Sequence, residues 1–252
     1  MLKINVENLS LIIGKQEILR NVNIDFHPGN LYCVLGKNGA GKSSLFNIIM
    51  DLIKPTKGVI VYNGKTYQNI PVELKREMSF LCEDLQILDE LSAFQYLDLV
   101  ATLYNLKAGL TKMRVLELTQ YFFSDFDNMK KKRIGAYSTG MKKRIALCSC
   151  FIHDPDFIIL DEPFAGLDPE SSLKLIKLIQ VLRAKHRTIL ISDHNLSYMK
   201  DVRPDQIILI EEGNVILNKK SEEIDENEVE RLLVGELVNE HIKDIKKPFS
   251  WL

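Results

Sequence analysis

No stretch of this 252-residue chain approaches the roughly 18 to 20 apolar residues a helix needs to cross a bilayer, and the opening Met1-Leu2-Lys3-Ile4-Asn5 does not read as a secretory signal. The chain is therefore expected in the cytoplasm. Cysteine is also scarce. Cys33, Cys82, Cys148 and Cys150 show neither the paired spacing of a zinc site nor a secreted disulfide framework, so buried, reduced thiols are expected. An excess of charge of one sign is missing too: 33 basic against 34 acidic residues leave a net −1, which supplies no electrostatic footprint for DNA or RNA and excludes nucleic acid as a default partner. Internal repeats and low-complexity linkers are absent. What is present is a 46% hydrophobic composition, enough to build a buried core in one α/β domain, or one domain plus a subdomain.

The stretch that organises the chain is Gly36-Lys37-Asn38-Gly39-Ala40-Gly41-Lys42-Ser43, between the apolar run Leu31 to Leu35 and the periodic run Ser44 to Met50. It reads as strand, phosphate loop, helix. Three glycines let successive backbone N–H groups turn inward around phosphates, and the following helix aims its free N–H groups and the positive end of its dipole at the same anion. In such a loop Asn38, Gly39, Ala40, Gly41 and Ser44 surround the phosphates, Lys42 reaches the terminal ones and the Ser43 hydroxyl ligates Mg²⁺. The chain is expected to bind a nucleoside triphosphate.

Around this loop the pattern predicts an α/β fold. Residues 3–13 and 16–26 alternate apolar and polar about Gly14-Lys15, as an antiparallel pair does. Residues 59–62 are strand-like and Asn63-Gly64 is a strong hairpin turn; residues 78–81 read as a further strand. From about Leu91 to Phe126 the period becomes helical, which fits an inserted α-helical subdomain over roughly residues 84–150, including a helix from Met141 to Phe151 that starts at Ser138-Thr139-Gly140. Its Lys130-Lys131-Lys132-Arg133 run reads as a solvated loop. Phe157 to Leu160 is continuously apolar and ends in Asp161-Glu162, the signature of a strand buried on both faces with acids at its carboxyl end, where ligands sit in such sheets. A helix over 169–184, a strand over 188–191 ending in Ser192-Asp193-His194, and a hairpin across Glu212-Gly213-Asn214 complete a domain over residues 1–220. Residues 221–252 are expected to form a C-terminal helical extension.

Together these pieces resemble the ATP-binding subunit of ABC transporters, from about residue 3 to 220, and so imply a P-loop NTPase parallel-sheet core with an N-terminal antiparallel β subdomain and the inserted helices. Five motifs stand in order: Gly36 to Ser43 is similar to Walker A, Tyr137-Ser138-Thr139-Gly140-Met141 to the ABC signature, Phe157 to Glu162 to Walker B, Gly166-Leu167-Asp168 to the D-loop, and His194 to the switch histidine. Asp161, with Ser43 and Glu83, is then expected to hold Mg²⁺, an oxygen-seeking cation that keeps several waters. Glu162, pointing differently, is expected to polarise the attacking water, work worth about 10² to 10⁴ in rate. His194 is expected to sense the γ-phosphate. The resemblance further implies that Ser138 and Gly140 meet the ATP held by a second subunit, so that two chains, as a homodimer or heterodimer, close head-to-tail on two ATP molecules and act on a separate integral membrane permease from the cytoplasmic face of the membrane. Asp168, in the D-loop resemblance, is expected to take part in nucleotide binding.

Three departures stand out. The usual adenine-stacking aromatic corresponds to about Ile13, which has no ring; Glu83 stands where Gln is common; and Tyr137, Thr139 and Met141 stand where Leu, Gly and Gln are common. Without the ring, nucleotide binding is expected to be weaker and less selective for the base. The Tyr-Ser-x-Gly-Met signature with Glu83 looks most like drug, antibiotic and polysaccharide exporters, which points to export. A soluble non-transport ABC ATPase is the alternative, although most translation and repair forms carry two such domains or a long coiled-coil insertion. A non-hydrolysing partner subunit is disfavoured because Glu162 and His194 are both present.

Overall fold

Two strands of the chain are apolar at every position because they are covered on both faces. They lie in a six-stranded sheet whose order is β10-β9-β3-β8-β7-β6, in a computed structural model that describes residues 1–85, 87–123, 132–194 and 198–224. The strands are β3 (Leu31–Leu35), β6 (Met78–Leu81), β7 (Phe157–Leu160), β8 (Thr188–Asp193), β9 (Gln206–Glu211) and β10 (Asn214–Lys220). All neighbours run parallel except β10, which returns antiparallel to β9. Successive residues of a strand face opposite sides, and the packing follows that rule. Tyr32, Val34, Phe157, Ile159 and Leu190 enter one core, while Leu31, Ile158, Leu160, Ile189 and Ile191 enter the other. Each such side chain removed from water is worth about 1.5 to 3 kcal/mol.

The first core is roofed by a second sheet of order β2-β1-β4-β5, built from β1 (Ile4–Ile13), β2 (Gln16–Phe26), β4 (Lys57–Tyr62) and β5 (Lys65–Thr66), all antiparallel. The expected hairpin about Gly14-Lys15 forms, with Ile13 opposite Gln16. Helix α1 (Lys42–Ile49) lies in this core through Leu45, Phe46, Ile48 and Ile49. A short α2 (Val72–Lys75) precedes β6.

Between β6 and β7 come α3 (Ala93–Leu103), α4 (Ala108–Phe122) and α5 (Thr139–Phe151), which pack on the second core. Ser92 and Gln95 form a reciprocal capping box at the start of α3. The single periodic stretch expected over 91–126 is divided: Asn105, at φ 58, turns the chain left-handedly between α3 and α4. α6 (Pro169–Ala184) packs on the same face through Leu175, Ile176 and Ile179, with Pro169 at its first position, and a short α7 (Met199–Val202) precedes β9.

The β9–β10 turn, Glu212-Gly213, has positive φ at both residues, as a two-residue hairpin requires. Gly213 N–H donates to Ala40 O at 3.1 Å and Arg20 N–H donates to Gly213 O at 2.8 Å, so the turn ties the phosphate loop to β2. Cys33, Cys148 and Cys150 are buried free thiols as expected, whereas Cys82 is only half-buried, because it leaves the end of β6 where the sheet gives way to solvent. Lys132 and Arg133 of the basic run are exposed; Lys130 and Lys131 lie outside the described residues, as does the expected C-terminal helical extension from residue 225 on.

Candidate nucleotide site

Parallel register brings three chain segments to one edge of the sheet. Leu35 pairs with Asp193 and Leu160 with Ile191, so the loop after β3, the acids after β7 and the residues ending β8 emerge side by side at the carboxyl edge. The phosphate loop threads a passage that admits no side chain at two of its glycines. A Cβ at Gly36 would lie 2.4 Å from Ile210 O, and one at Gly41 would lie 2.7 Å from the Leu19 side chain, with φ at +109°. Gly41 is also the N-cap of α1, and that helix opens toward the loop without an acidic residue in its first turn. Its free N–H groups are therefore available to an anion.

Lys42 is buried, yet its ammonium donates to Gly36 O at 2.7 Å and to Lys37 O at 3.3 Å and lies 3.7 Å from Glu162 Oε1. Glu162 Oε2 accepts from His194 Nδ1–H at 2.9 Å, which assigns the proton to that nitrogen. Among the described residues Glu162 Oε1 accepts no hydrogen bond, although it is buried beside Lys42. A buried acceptor left open is costly, and it is the arrangement a water or ligand would complete.

The two acids are oriented through Ser192. Its hydroxyl donates to Asp161 Oδ1, and its oxygen accepts the Glu162 N–H at 2.8 Å. Glu162 itself has φ +47, a backbone region seldom used by residues other than glycine. Its carbonyl accepts from Lys143 Nζ at 3.0 Å and from Ala165 N–H at 3.3 Å. Asp193 is buried and accepts the His194 N–H at 2.7 Å.

These groups border an open cleft of about 390 Å³, lined by Gln16, Ile18, Asn38 to Ser44, Glu83 and Glu162. Of the residues singled out in the sequence, the phosphate loop, Ser43, Ser44, Glu83 and Glu162 therefore share one cavity, with His194 and Asp161 attached to it through Glu162 and Ser192. Ser138, Gly140 and Asp168 do not line it. Ser138 is exposed and caps α5 by accepting the Met141 N–H at 3.3 Å. Asp168 caps α6, accepting from Ser171 N–H at 2.8 Å and Ser171 Oγ–H at 2.7 Å, which holds its carboxyl below the usual range. Ser43, Asp161 and Glu83 together offer an oxygen-only donor set, which suits Mg²⁺. Ser192, Lys143 and Gln16 were given no role from the sequence. Ser192 carried a signal as a polar residue at the end of an apolar strand, and Lys143 as part of the Lys142-Lys143-Arg144 run that follows the signature.

The profile of the ABC transporter family matches residues 19–165. The lantibiotic transport ATP-binding protein SrtF of Streptococcus pyogenes is 33% identical over 217 residues, covering 86% of this chain and 90% of that protein. A solved ATP-binding subunit of an ABC transporter superposes with a TM-score of 0.81 at 26% identity, covering 95% of this chain and 98% of the other. A cassette solved as a dimer in a post-hydrolysis state with ADP and Pi shares the fold, with a TM-score of 0.76 at 21% identity over 86% of this chain and 98% of the other.

Proposed function

The chain belongs to the ABC transporter family as an ATP-binding, ATP-hydrolysing subunit, and from that premise we propose how its own residues divide the work. The observation that carries the reading is the convergence of Lys42, Glu162 and His194 on the mouth of the phosphate loop. The loop N–H groups and the start of α1 cradle the phosphates, and Lys42 sits against the terminal ones. Glu162 Oε1, the open buried acceptor, takes a proton from the attacking water, while His194 holds Oε2 and fixes the carboxylate's direction. Ser43, Asp161 and Glu83 would hold Mg²⁺, which neutralises charge on the phosphates.

Ser138 and Gly140 stand away from the cleft, at the start of a helix with no acid in its first turn. That is an anion site without a phosphate loop of its own. It is supplied by a second cassette, so that two sites close head-to-tail around two ATP molecules and reopen after hydrolysis. Among the described residues no helix is long and apolar enough to cross a membrane. The motion is passed to a separate membrane permease, with this subunit on its cytoplasmic face, a reading supported by the likeness to a transport ATP-binding protein. Similarity to a lantibiotic transport protein, together with the Tyr-Ser-x-Gly-Met signature, favours export. A non-transport ATPase is the less favoured reading.

The test is the solution mass of Glu162→Gln with and without Mg·ATP, beside its turnover. The expected result is an ATP-dependent dimer whose rate is lower by about 10² or more. Turnover within a few-fold of the native chain would remove Glu162 from its role.

A further inference from the structure

The face of α5 that carries Gly140, Lys143 and Arg144, spaced three and four residues apart, is a single patch on the helix. Each of the three meets the loop that follows β7. Lys143 Nζ donates to Glu162 O at 3.0 Å. A Cβ at Gly140 would lie 2.8 Å from Gly166 O. Arg144 Nη1 lies 3.9 Å from Asp168 Oδ2.

Lys143 is the exceptional member. It is only 4% exposed, and burying an ammonium is unfavourable unless its bonds repay the lost water. An uncharged side chain of the same length would fill the slot more cheaply. Burial draws its pKa below the ordinary lysine value, with Asp161 acting against that fall. The acceptor it reaches is the backbone carbonyl of a glutamate held at φ +47. On the other side of that residue Ser192 receives the N–H. The peptide groups flanking Glu162 are thus held from β8 on one side and from α5 on the other.

We propose that Lys143 is a positioning residue: by holding the Glu162 carbonyl it maintains the left-handed backbone that aims the carboxylate toward Lys42 and His194, and it couples that aim to the position of α5. The start of the same helix carries Ser138 and Gly140. Engagement of the second nucleotide there moves the helix whose lysine orients the carboxylate of the chain's own site, so each ATP reports to the other through one rigid helix. This inference rests on Glu162 activating the water.

The experiment compares Lys143→Met with Lys143→Gln, both one bond shorter than lysine, of which Met has no donor and Gln presents an amide donor. Turnover, KM for Mg·ATP and Tm are measured for each. A misplaced catalytic group costs up to about 10²-fold, so Lys143→Met is expected to lose kcat by roughly tenfold or more with KM within about twofold of native. Lys143→Gln is expected to keep more of kcat. Stability runs the other way, because the apolar Met suits a buried slot better than an amide. A kcat ranking that follows Tm, native kcat in Lys143→Met, or a rise in KM at constant kcat overturns the proposal. Should Lys143→Met not fold, Lys143→Leu serves as the donor-free variant, and failure of both makes the residue structural and also overturns it. Glu162→Gln measured alongside separates the premises: turnover surviving there removes the role of Glu162, whereas turnover lost there but native in Lys143→Met removes only that of Lys143.

Discussion

Ile13 ends β1 with 58% of its surface exposed, directly opposite Gln16, which lines the nucleotide cleft together with Ile18. Nothing in that part of the lining is aromatic. A base against this hairpin gains contact with an aliphatic chain and an amide, but no stacked ring, and stacking is worth about 1 to 3 kcal/mol per base. Ile13→Tyr is expected to tighten ATP binding by roughly tenfold. Equilibrium titration with ATP and GTP checks it; unchanged affinity for both would place the base elsewhere. At this scale the sequence revealed residues whose chemistry is bound to a local pattern. The spacing of Gly36 to Ser43 and the pair Asp161-Glu162 are readable because neighbours in the chain act together. Lys143 was hidden in the run Lys142-Lys143-Arg144 after the signature, where nothing in the sequence separates the three. What separates them is a partner 19 positions away for Lys143, while Lys142 bonds the Asp89 carboxylate at 2.8 and 2.9 Å on an exposed face. Ser192 acts across 30 positions on Glu162, and only the register of β7 beside β8 brings them together.

The elements were legible where periodicity is bounded by turn residues. β1 and β2 flank Gly14, and the closing hairpin turns at Gly213, so their limits follow the sequence closely. The division between α3 and α4 was not legible, because Asn105 makes the left-handed turn without a glycine or proline to mark it. One consequence lies at that division. The ring of Tyr104, the C-cap of α3, stacks on His153 with centroids 3.6 Å apart and planes 10° from parallel. His153 Nε2–H donates to Met78 O at 3.1 Å, at the start of β6, while Nδ1 is buried without a hydrogen-bond partner among the described residues. Burial lowers its pKa to about 4 from an ordinary 6.5, the nearby Arg114 adding to the fall. The folded protein thus binds this proton less readily than the unfolded chain. Stability from the neutral ring is complete above the unfolded pKa, and it is lost as pH falls from about 6.5 toward 4. The loss is expected to be roughly 1 kcal/mol for each pH unit in that window. Thermal melts of the native chain and His153→Gln across the same pH range isolate it: the native Tm is expected to fall more steeply, and parallel slopes would show that the ring does not titrate with folding.

At the scale of the whole molecule, the proposed function divides the reaction site into one half that the sheet gathers and another that faces out. The phosphate loop, Glu162 and His194 meet at the carboxyl edge, whereas Ser138 sits exposed at the start of α5 and does not line their cleft. Under the proposed function a single chain presents two incomplete halves, and head-to-tail pairing with two-fold symmetry would complete both at once. This makes a mixing experiment decisive for the identity of the second subunit. Lys42→Ala removes the phosphate-loop cation and Ser138→Arg blocks the opposite half, so each variant alone assembles dimers with two broken sites. Mixed in equal amounts, half of the dimers carry one chain of each kind, and each of these has one site built from the intact halves. If the chain pairs with itself, the mixture is expected to recover up to about a quarter of native turnover, while neither variant alone recovers any. No recovery, with the mixed chains remaining apart in Mg·ATP, would mean that the second half comes from a different cassette. No recovery from chains that do pair would mean that neither site fires unless both are whole, the behaviour expected when the helix that meets one nucleotide also aims the carboxylate at the other.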